Sequence, residues 1–218
     1  MRLVKSTRHP RRSREGLREL LLQSALVEFS EKGFEGASTR SIAQRADAHQ
    51  PQINYHFESK QALWEAAVEH LYGQLADALG EIPVLETAGN AQEVAAALAE
   101  ILRRFVRFAA AHPELNRIVV HEATAGSERL EWMVDRHVRP IHNSTVMAWE
   151  LLVAAGIAAP IHSAAIHHVI VGAASLVYVN APEARLLTGA DPVEPEFVEV
   201  HADGIVAMLL PGLTQPER

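Results

Sequence analysis

The sequence contains no cysteine, and it has no long run of uninterrupted apolar residues. Without cysteine the chain forms no disulfide and carries out no thiol chemistry, which is typical of a cytoplasmic protein. Because a membrane-spanning helix needs about 18 or more consecutive apolar residues, the sequence predicts no membrane span. The basic amino terminus has no apolar stretch behind it, so it is not predicted to be a secretory signal. We therefore expect a cytoplasmic protein with no membrane partner.

Motifs of catalysis are missing as well. A hydrolase needs a nucleophile with a base and an orienting group, or a metal held by converging ligands. The sequence has no GxSxG elbow, no HExxH pair and no glycine-rich phosphate loop. The sequence therefore indicates neither an enzyme nor a protein with a cofactor.

The chain does have a strongly uneven distribution of charge. Residues 1–60 hold 11 Lys or Arg and 7 Asp or Glu, a balance of +4, whereas residues 61–218 hold 9 and 20, a balance of −11. A basic end on an acidic protein predicts a polyanionic partner for that end. A solvated tail that only aids solubility is the alternative, because a charge count carries no geometry.

Apolar periodicity predicts helices along most of the 218 residues, of which 48% are hydrophobic. In the first helix Leu22, Leu26 and Phe29 lie on one stripe, and Gly33 is predicted to end it. The β-branched clusters in the second half of the chain could form strands, but their length and spacing favour buried helices. We therefore predict an all-α protein of about nine helices, in which residues 1–12 form a flexible basic arm.

Residues 38–57 have the spacing of a helix-turn-helix, in which a second short helix enters the major groove of DNA. Ser38 is a good N-cap for the first of the two helices. Pro51 lies in the first turn of the second helix, where its missing N–H would have had no intrahelical partner. Four apolar residues are spaced to anchor the pair from behind, namely Ile42, Ala43, Ile53 and Phe57.

The opposite face of the second helix is polar. Amides and hydrogen-bond donors on such a face can contact base edges and phosphates. A polar surface helix without a ligand is the alternative, but the spacing and the basic arm together favour DNA. The candidate DNA-contacting side chains of this helix are those of Gln50, Gln52, Asn54, Tyr55 and His56.

Residues 20–68 resemble the DNA-binding domain of the TetR family of transcriptional regulators. The matching motifs are ALxxFxxxGF at the end of the first helix, STRSIA in the second, QPQINYHF in the third and SKQAL at the start of the fourth. The resemblance assigns base contacts to one set of residues, namely Gln50, Pro51, Gln52 and Tyr55, and Pro51 would contact a thymine methyl. It assigns phosphate contacts to another set, namely Ser38, Asn54, His56 and Lys60.

Four positions depart from the family pattern. Asp47 stands at the usual turn glycine, and His49 stands at the usual N-cap serine of the recognition helix. Asn54 replaces a common tyrosine, and Ser41 replaces the acidic residue that would complete a capping box. These departures leave the scaffold in place, but an operator sequence cannot be transferred from a relative.

The resemblance also implies the organisation of the remaining chain. Residues 13–60 would form the helix-turn-helix DNA-binding domain, and residues 61–218 a helical domain that binds an effector and dimerises. Family members place a dimer four-helix bundle in their last two helices, here about 160–181 and 195–210. Both segments are apolar on most faces and must be covered, although burial inside one monomer is the alternative. The predicted interface residues are Gly172, Ala173, Ser175 and Val206.

The resemblance also implies an effector pocket, which we expect between the fifth and eighth helices. An apolar cavity with a few polar groups is the usual form of such a site. Each candidate residue is also compatible with ordinary core or surface. The candidate lining residues are Phe105, Phe108, His121, Trp132, His137 and Met147. Nothing in the sequence identifies the effector.

Histidine is frequent, with twelve in the chain. Zinc would need three or four ligands that converge, and the sequence has no HxxxH pair. The six-residue spacing of His162 and His168 does not put them on the same side of a helix, and His137 and His142 flank a proline. We therefore expect no metal site, and a metal-responsive regulator remains the alternative function.

Together these features predict a homodimeric transcriptional repressor. It would bind a near-palindromic DNA operator, because two-fold protein symmetry implies a two-fold site. A small-molecule inducer would release it by changing the separation of the two recognition helices. Activation is the alternative to repression, since the direction of regulation depends on where the operator lies.

Overall fold

The structure is a computed structural model in which residues 14–80 and 90–213 are described. These residues form eleven α-helices and one π-helical turn, and none of them lies in a strand. The prediction of an all-α protein is therefore confirmed, and the predicted arm, residues 1–12, lies outside the described residues. The chain divides into two compact units, residues 1–68 and residues 69–218. The division falls inside a helix, later than the boundary after residue 60 that the sequence predicts.

Four helices begin in the first unit: α1 (Arg14–Gly36), α2 (Thr39–Arg45), α3 (Gln50–His56) and α4 (Lys60–Leu79). The backbone of α1 breaks at Gly33, the predicted end of the first helix, where φ is 66° and ψ is 175°. The Ser38 hydroxyl caps α2 as predicted, accepting a hydrogen bond from the backbone N–H of Ser41 over 3.1 Å. Asp47, at the position of the usual turn glycine, has a φ of 50°, a left-handed conformation that aspartate tolerates.

The core of the first unit contains the apolar residues that the periodicity predicts. Leu22, Phe29, Ile42 and Ile53 are each at most 1% exposed. Burying an apolar side chain of this size contributes about 1.5–3 kcal/mol relative to leaving it in water. Because α2 and α3 are only seven residues long, this packing holds them in place more than helix propensity does.

The second unit contains the end of α4 and all later helices. They are α5 (Ala91–Ala111), α6 (Glu114–Ala125), α7 (Glu128–Met133), a π-helical turn (Val134–Val138), α8 (Arg139–Ala154), α9 (Ser163–Val179), α10 (Ala181–Thr188) and α11 (Pro195–Leu209). Helices α9 and α11 fall close to the two predicted segments, whereas the short α10 has no counterpart in the prediction. In the described part of the chain no single helix is long and apolar enough to cross a membrane; α9 and α10 meet that criterion only together, across a 74° bend.

Helix α5 packs against α9 and α11 at the centre of the second unit. Leu102 and Val106 of α5 are 2% and 0% exposed, and Trp149 of α8 is 0% exposed. The indole Nε1 of Trp149 donates a hydrogen bond to the carbonyl oxygen of Ile161 over 3.1 Å. This buried ring therefore leaves no unpaired donor in the core.

The π-helical turn lies just before Pro140. Proline has no N–H to donate, and in a regular helix its ring collides with the carbonyl four residues earlier. A widened turn before Pro140 relieves that collision, and π-turns are frequent at functional sites.

Candidate nucleic-acid interface and internal cavity

Helix α3 has one buried face and one polar face. Ile53 is 1% exposed and Phe57, which follows the helix, is 6% exposed, so both anchor α3 to the first unit. Tyr55 on the other side is 67% exposed. The remaining predicted contact residues of α3 are exposed or half-buried, and they are Gln50, Pro51, Gln52, Asn54 and His56. The helix therefore presents amide, phenol and imidazole groups together, as a recognition helix requires.

The start of α3 is held by its own amide side chains. Oε1 of Gln52 accepts a hydrogen bond from the backbone N–H of His49 over 2.8 Å. This bond is the reciprocal half of a capping box, and it supports the helix start although His49 replaces the usual serine. Nε2 of Gln50 donates to Oγ1 of Thr39 over 3.2 Å and so connects α3 to α2. Both glutamines predicted to contact bases are therefore positioned by intramolecular bonds.

A buried carboxylate that sequence reasoning missed joins α1 to α2. Glu28 is 1% exposed, and it accepts hydrogen bonds from Lys32 over 2.7 Å, from Arg45 over 3.4 Å and from the Ser41 hydroxyl. Burial acts to raise the pKa of Glu28, but these three hydrogen bonds and the charge of Lys32 outweigh it, so the pKa lies below its usual range. The sequence signal for this buried contact was Ser41. It replaces the acidic residue of a capping box, and its hydroxyl binds Glu28.

Cation–π contacts place positive charge beside α3. The guanidinium of Arg14 is 5.1 Å from the ring centre of Tyr55, and the ammonium of Lys60 is 4.5 Å from the ring centre of Phe34. Such contacts orient a cation without neutralising it. Arg14 therefore lies beside the exposed Tyr55 of α3, and Lys60 lies beside Phe34 of α1.

His56 lies half-buried at the end of α3. Burial lowers the pKa of His56, and the positive charges of Arg14 and Arg18 lower it further. The imidazole is therefore neutral near pH 7. It can meet a phosphate as a hydrogen-bond donor, but it does not supply a positive charge.

A cavity of about 140 Å³ lies inside the second unit. Helices α4, α5, α6, α8 and α9 and the π-helical turn contribute to its wall. Most of the wall is apolar, with large surfaces from Leu98, Phe105 and Ile170. A smaller group of lining residues carries polar atoms, namely Tyr72, His112, Asn116, Thr145, His167 and Ser175. This composition is the usual one for a small-molecule site.

Of the six residues predicted to line a pocket, Phe105 is the one that lines this cavity. Phe108 is 5% exposed and belongs to the core, where its ring stacks on His112 with 4.4 Å between ring centres. Met147 is 60% exposed, and His121 is also exposed. The assignments of Phe108, Met147 and His121 are therefore corrected, because their side chains are not part of the wall.

His137 and Trp132 do not line the cavity. His137 lines a shallow depression with Glu69, Tyr72 and Arg136, stacks on Tyr72 with 4.5 Å between ring centres, and meets Trp132 edge-on at 5.4 Å. Burial lowers the pKa of His137, Glu69 acts to raise it and Arg136 to lower it, so the imidazole is neutral near pH 7. Its Nε2 is buried and has no hydrogen-bond partner among the described residues.

The later histidines form no metal site in the part of the chain that the structure describes. The ring centres of His142 and His167 are 5.6 Å apart, and those of His167 and His168 are 5.3 Å apart. No group of three or more His, Asp or Glu side chains among the described residues is arranged to hold a metal ion. His162 has a local role at the start of α9, where its Nδ1 accepts a hydrogen bond from the backbone N–H of Ala164 over 3.1 Å.

The four predicted interface residues fall into two groups. Ser175 and Val206 are 3% and 2% exposed within a single chain, so their side chains belong to the core of the second unit. Their assignment to an interface is corrected, because a side chain already covered in the monomer is not available to a partner. Gly172 and Ala173 are half-buried, and a Cβ added at Gly172 would meet no atom within 4 Å.

The segment with helix-turn-helix geometry also matches a known family. Residues 21–67 match the model of the tetR family of bacterial regulatory proteins. In this segment the chain is therefore similar to the tetR family. The match covers α2, α3 and parts of α1 and α4, so it includes every residue predicted to contact DNA.

Two named relatives are similar to a longer part of the chain than this segment. The probable HTH-type transcriptional regulator YttP of Bacillus subtilis is 31% identical over 113 residues, which cover 50% of this chain and 52% of YttP. The HTH-type transcriptional repressor NicS of Pseudomonas putida is 30% identical over 105 residues, which cover 48% of this chain and 47% of NicS. The chain thus spans about half the length of the relatives it matches. Both relatives are named as transcriptional regulators, and neither is named as an enzyme.

A solved structure resembles most of this chain in fold. AibR in complex with isovaleryl coenzyme A and operator DNA superimposes with a TM-score of 0.68 at 18% identity, covering 89% of this chain and 98% of AibR. At this identity the likeness shows the fold alone.

Proposed function

We propose that this protein is a DNA-binding transcriptional repressor that acts as a homodimer on a near-palindromic operator and is released by a small-molecule inducer. One observation carries the proposal: Ile53 and Phe57 hold α3 from behind, while Gln50, Asn54 and Tyr55 are exposed in front. A seven-residue helix with this division of faces has the size and chemistry of a major-groove reader.

The relatives support repression and control by a ligand. NicS is named as a transcriptional repressor, and AibR is described in complex with both a coenzyme A thioester and operator DNA. This chain has the same fold and a cavity in its second unit. Tyr72, Leu75 and Leu79 of α4 line that cavity, and the same helix begins at Lys60, beside the recognition helix. A ligand that displaces this wall therefore acts on a helix that is continuous with the DNA-binding unit.

Exposed apolar side chains on α9 and α11 support a homodimer. Leu176 of α9 is 55% exposed, and Val200 and Met208 of α11 are 69% and 57% exposed. On α11, Val200, Gly204 and Met208 follow one another at intervals of four residues, so they share one helix face. On α9, Gly172 precedes Leu176 by four residues, so these two also share a face. A Cβ added at either glycine would meet no atom within 4 Å. These two faces leave room for the close approach of a second copy.

The proposal is tested by selecting genomic DNA fragments with the purified chain and titrating the selected operator. Gln50→Ala should weaken operator binding by about 1–3 kcal/mol and relax the preference at one base pair per half-site. Gln92→Ala removes an exposed glutamine at the start of α5 and is the matched control, which should bind like wild type. If no sequence is enriched, or if Gln50→Ala and Asn54→Ala both bind like wild type, α3 is not the reader.

Two alternatives to a ligand-released repressor are a metal-responsive regulator and an activator. A metal-responsive regulator has no support in the described residues, because no three potential ligands converge there. An activator would use the same DNA-binding surface, and the position of the selected operator relative to its promoter distinguishes activation from repression.

A further inference from the structure

The wall of the cavity restricts the chemistry of the molecule that it can hold. Among the described residues that line it, none is Lys, Arg, Asp or Glu. A carboxylate, phosphate or ammonium placed there would lose its hydration without gaining a charged partner, which is strongly unfavourable. The wall therefore selects against charged ligands.

The two histidines of the wall do not change this conclusion. Nδ1 of His112 lies 2.9 Å from a carboxylate oxygen of Glu114, so any positive charge on this imidazole is balanced locally. Burial lowers the pKa of His167, and the neighbouring His168 and His142 lower it further, so this imidazole is neutral near pH 7. Neither histidine supplies a net positive charge for an anion.

Asn116 is a polar group of the wall that has hydrogen-bonding capacity to offer. Nδ2 of Asn116 on α6 donates to Oγ of Ser175 on α9 over 2.8 Å, and that hydroxyl donates to the carbonyl oxygen of Val171 over 2.6 Å. The Thr145 hydroxyl likewise donates to the carbonyl oxygen of Ile141 over 2.8 Å. Both hydroxyl protons are thus used within the protein, whereas the Asn116 amide retains a second N–H and the oxygen Oδ1.

The volume of the cavity limits the size of its ligand. It measures about 140 Å³, and an apolar cavity of about 150 Å³ holds one benzene molecule. The apolar surfaces of Leu98, Phe105 and Ile170 surround such a ring with the dispersion contacts that it needs.

We infer that the cavity binds an uncharged molecule of about the size of one substituted ring, whose hydroxyl or carbonyl group meets the amide of Asn116. The regulatory role of that molecule rests on the proposed function, but its binding does not. The uncharged wall disfavours organic acids, amines and phosphorylated carriers whose charged group would lie inside the cavity.

Three probes that share a phenyl ring test the charge preference on the full wild-type chain at pH 7: benzyl alcohol, benzoate and benzylammonium. Their affinities are measured by titration of the amide signals of the labelled protein in two-dimensional NMR spectra. Benzyl alcohol should bind at least about tenfold more tightly than either charged probe, because only the charged probes are left unpaired in the wall. Binding of benzoate as tight as that of benzyl alcohol overturns the inference, and so does an absence of benzyl alcohol binding at millimolar concentration.

Two substitutions, each with a matched control, test the contact with Asn116 and the preference of the wall for an uncharged ligand. Asn116→Leu should abolish the preference for benzyl alcohol over toluene, which has the ring without the hydroxyl, while Asn143→Leu on the exposed surface of α8 should keep it. Thr145→Lys puts an ammonium into the wall and should reverse the preference in favour of benzoate. Ser144→Lys adds the same charge at the exposed neighbouring position and should not. Unchanged preferences in both Asn116→Leu and Thr145→Lys overturn the inference.

The same preparations separate this inference from the proposed function. Operator titrations without any probe report DNA binding alone. A chain that binds its operator but shows no preference for benzyl alcohol contradicts the ligand assignment and leaves the proposed function intact. A chain that binds no DNA but shows the expected preference contradicts the proposed function and supports the ligand assignment.

Discussion

Oε1 of Gln52 accepts a hydrogen bond from the backbone N–H of His49 over 2.8 Å, so a residue predicted to contact a base also holds the start of its own helix. Gln50 instead bonds to Thr39 of the preceding helix. The two glutamines therefore have different structural roles before DNA binds, and this difference makes their substitutions distinguishable.

Gln52→Ala should lower both stability and operator affinity, whereas Gln50→Ala should act mainly on affinity. The capping bond satisfies a backbone N–H at the start of α3, whereas the Gln50–Thr39 bond joins two side chains that water can also satisfy, so loss of the capping bond should cost about 0.5–1.5 kcal/mol more unfolding free energy. Urea unfolding of each variant measures the difference, with Gln44→Ala on the exposed surface of α2 as control. Equal unfolding free energies for Gln50→Ala and Gln52→Ala would contradict the capping role.

The buried carboxylate of Glu28 should make the first unit sensitive to acid. Its pKa in the folded chain lies below the ordinary value of 4.5. A carboxylate with a depressed folded pKa contributes stability that is fully present above its unfolded pKa and is lost as the pH falls through its folded pKa. Glu28→Gln should therefore cost about 1–3 kcal/mol near pH 7, and the difference from wild type should shrink only below the ordinary carboxylate pKa.

Urea unfolding followed across the acidic range checks this prediction. Glu31→Gln is the matched control on the same helix, since Glu31 also pairs with Arg45, over 2.7 Å, but is 47% exposed. An exposed pair of this kind contributes about 0–1 kcal/mol. A pH-independent difference between Glu28→Gln and wild type would show that the ionised carboxylate is not the stabilising form.

Charges on the exposed faces of α9 and α11 should separate the proposed dimer. Leu176→Asp or Met208→Asp would place a carboxylate in the apolar interface, where it has no partner. Sedimentation should then show monomers at concentrations where wild type is dimeric. Leu186→Asp on α10 is the control, because Leu186 is 89% exposed and lies outside the proposed interface. An unchanged dimer in both test variants would show that the interface does not lie on these faces of α9 and α11.

Deleting residues 1–12 should weaken binding to all DNA sequences, because the deleted segment carries Arg2, Lys5, Arg8, Arg11 and Arg12. Each phosphate neutralised on duplex DNA contributes a slope of about −0.9 to the dependence of log affinity on log salt. We expect the slope to become shallower by roughly two to four per dimer, if some of these charges engage phosphates. Titrations at several salt concentrations on operator and on random duplex measure it. An unaltered slope would mean that the segment is a solvated tail.

Zinc and EDTA should have little effect on DNA binding. Because no structural metal is expected, incubation with zinc and then with EDTA should leave operator affinity within about 1 kcal/mol. The triple variant His162→Ala, His167→Ala and His168→Ala is the control. A metal-dependent change larger than about tenfold that disappears in this variant would favour the metal-responsive alternative.

The helix-turn-helix was predictable from the sequence because its determinants are local. The Ser38 cap, the Asp47 turn and the position of Pro51 each depend on residues within one or two helical turns. Ile53 and Phe57 follow from helical spacing, which is the strongest periodic signal in a sequence. Apart from the departure at Ser41, nothing local predicted the buried Glu28, because its partner Arg45 lies on a different helix and meets it only after α1 and α2 pack.

The tertiary structure alone determined where the cavity lies and what covers the apolar faces of the later helices. Tyr72, Asn116 and Ser175 become neighbours only when α4, α6 and α9 assemble around the same space. An apolar helix face that packs tightly and one that borders a void have the same periodicity, so sequence patterns cannot tell them apart. For the same reason Val206 looked like an interface residue and proved to be core. By itself the sequence determines that such a face must be covered; the three-dimensional packing determines whether its own chain, a ligand or a partner covers it.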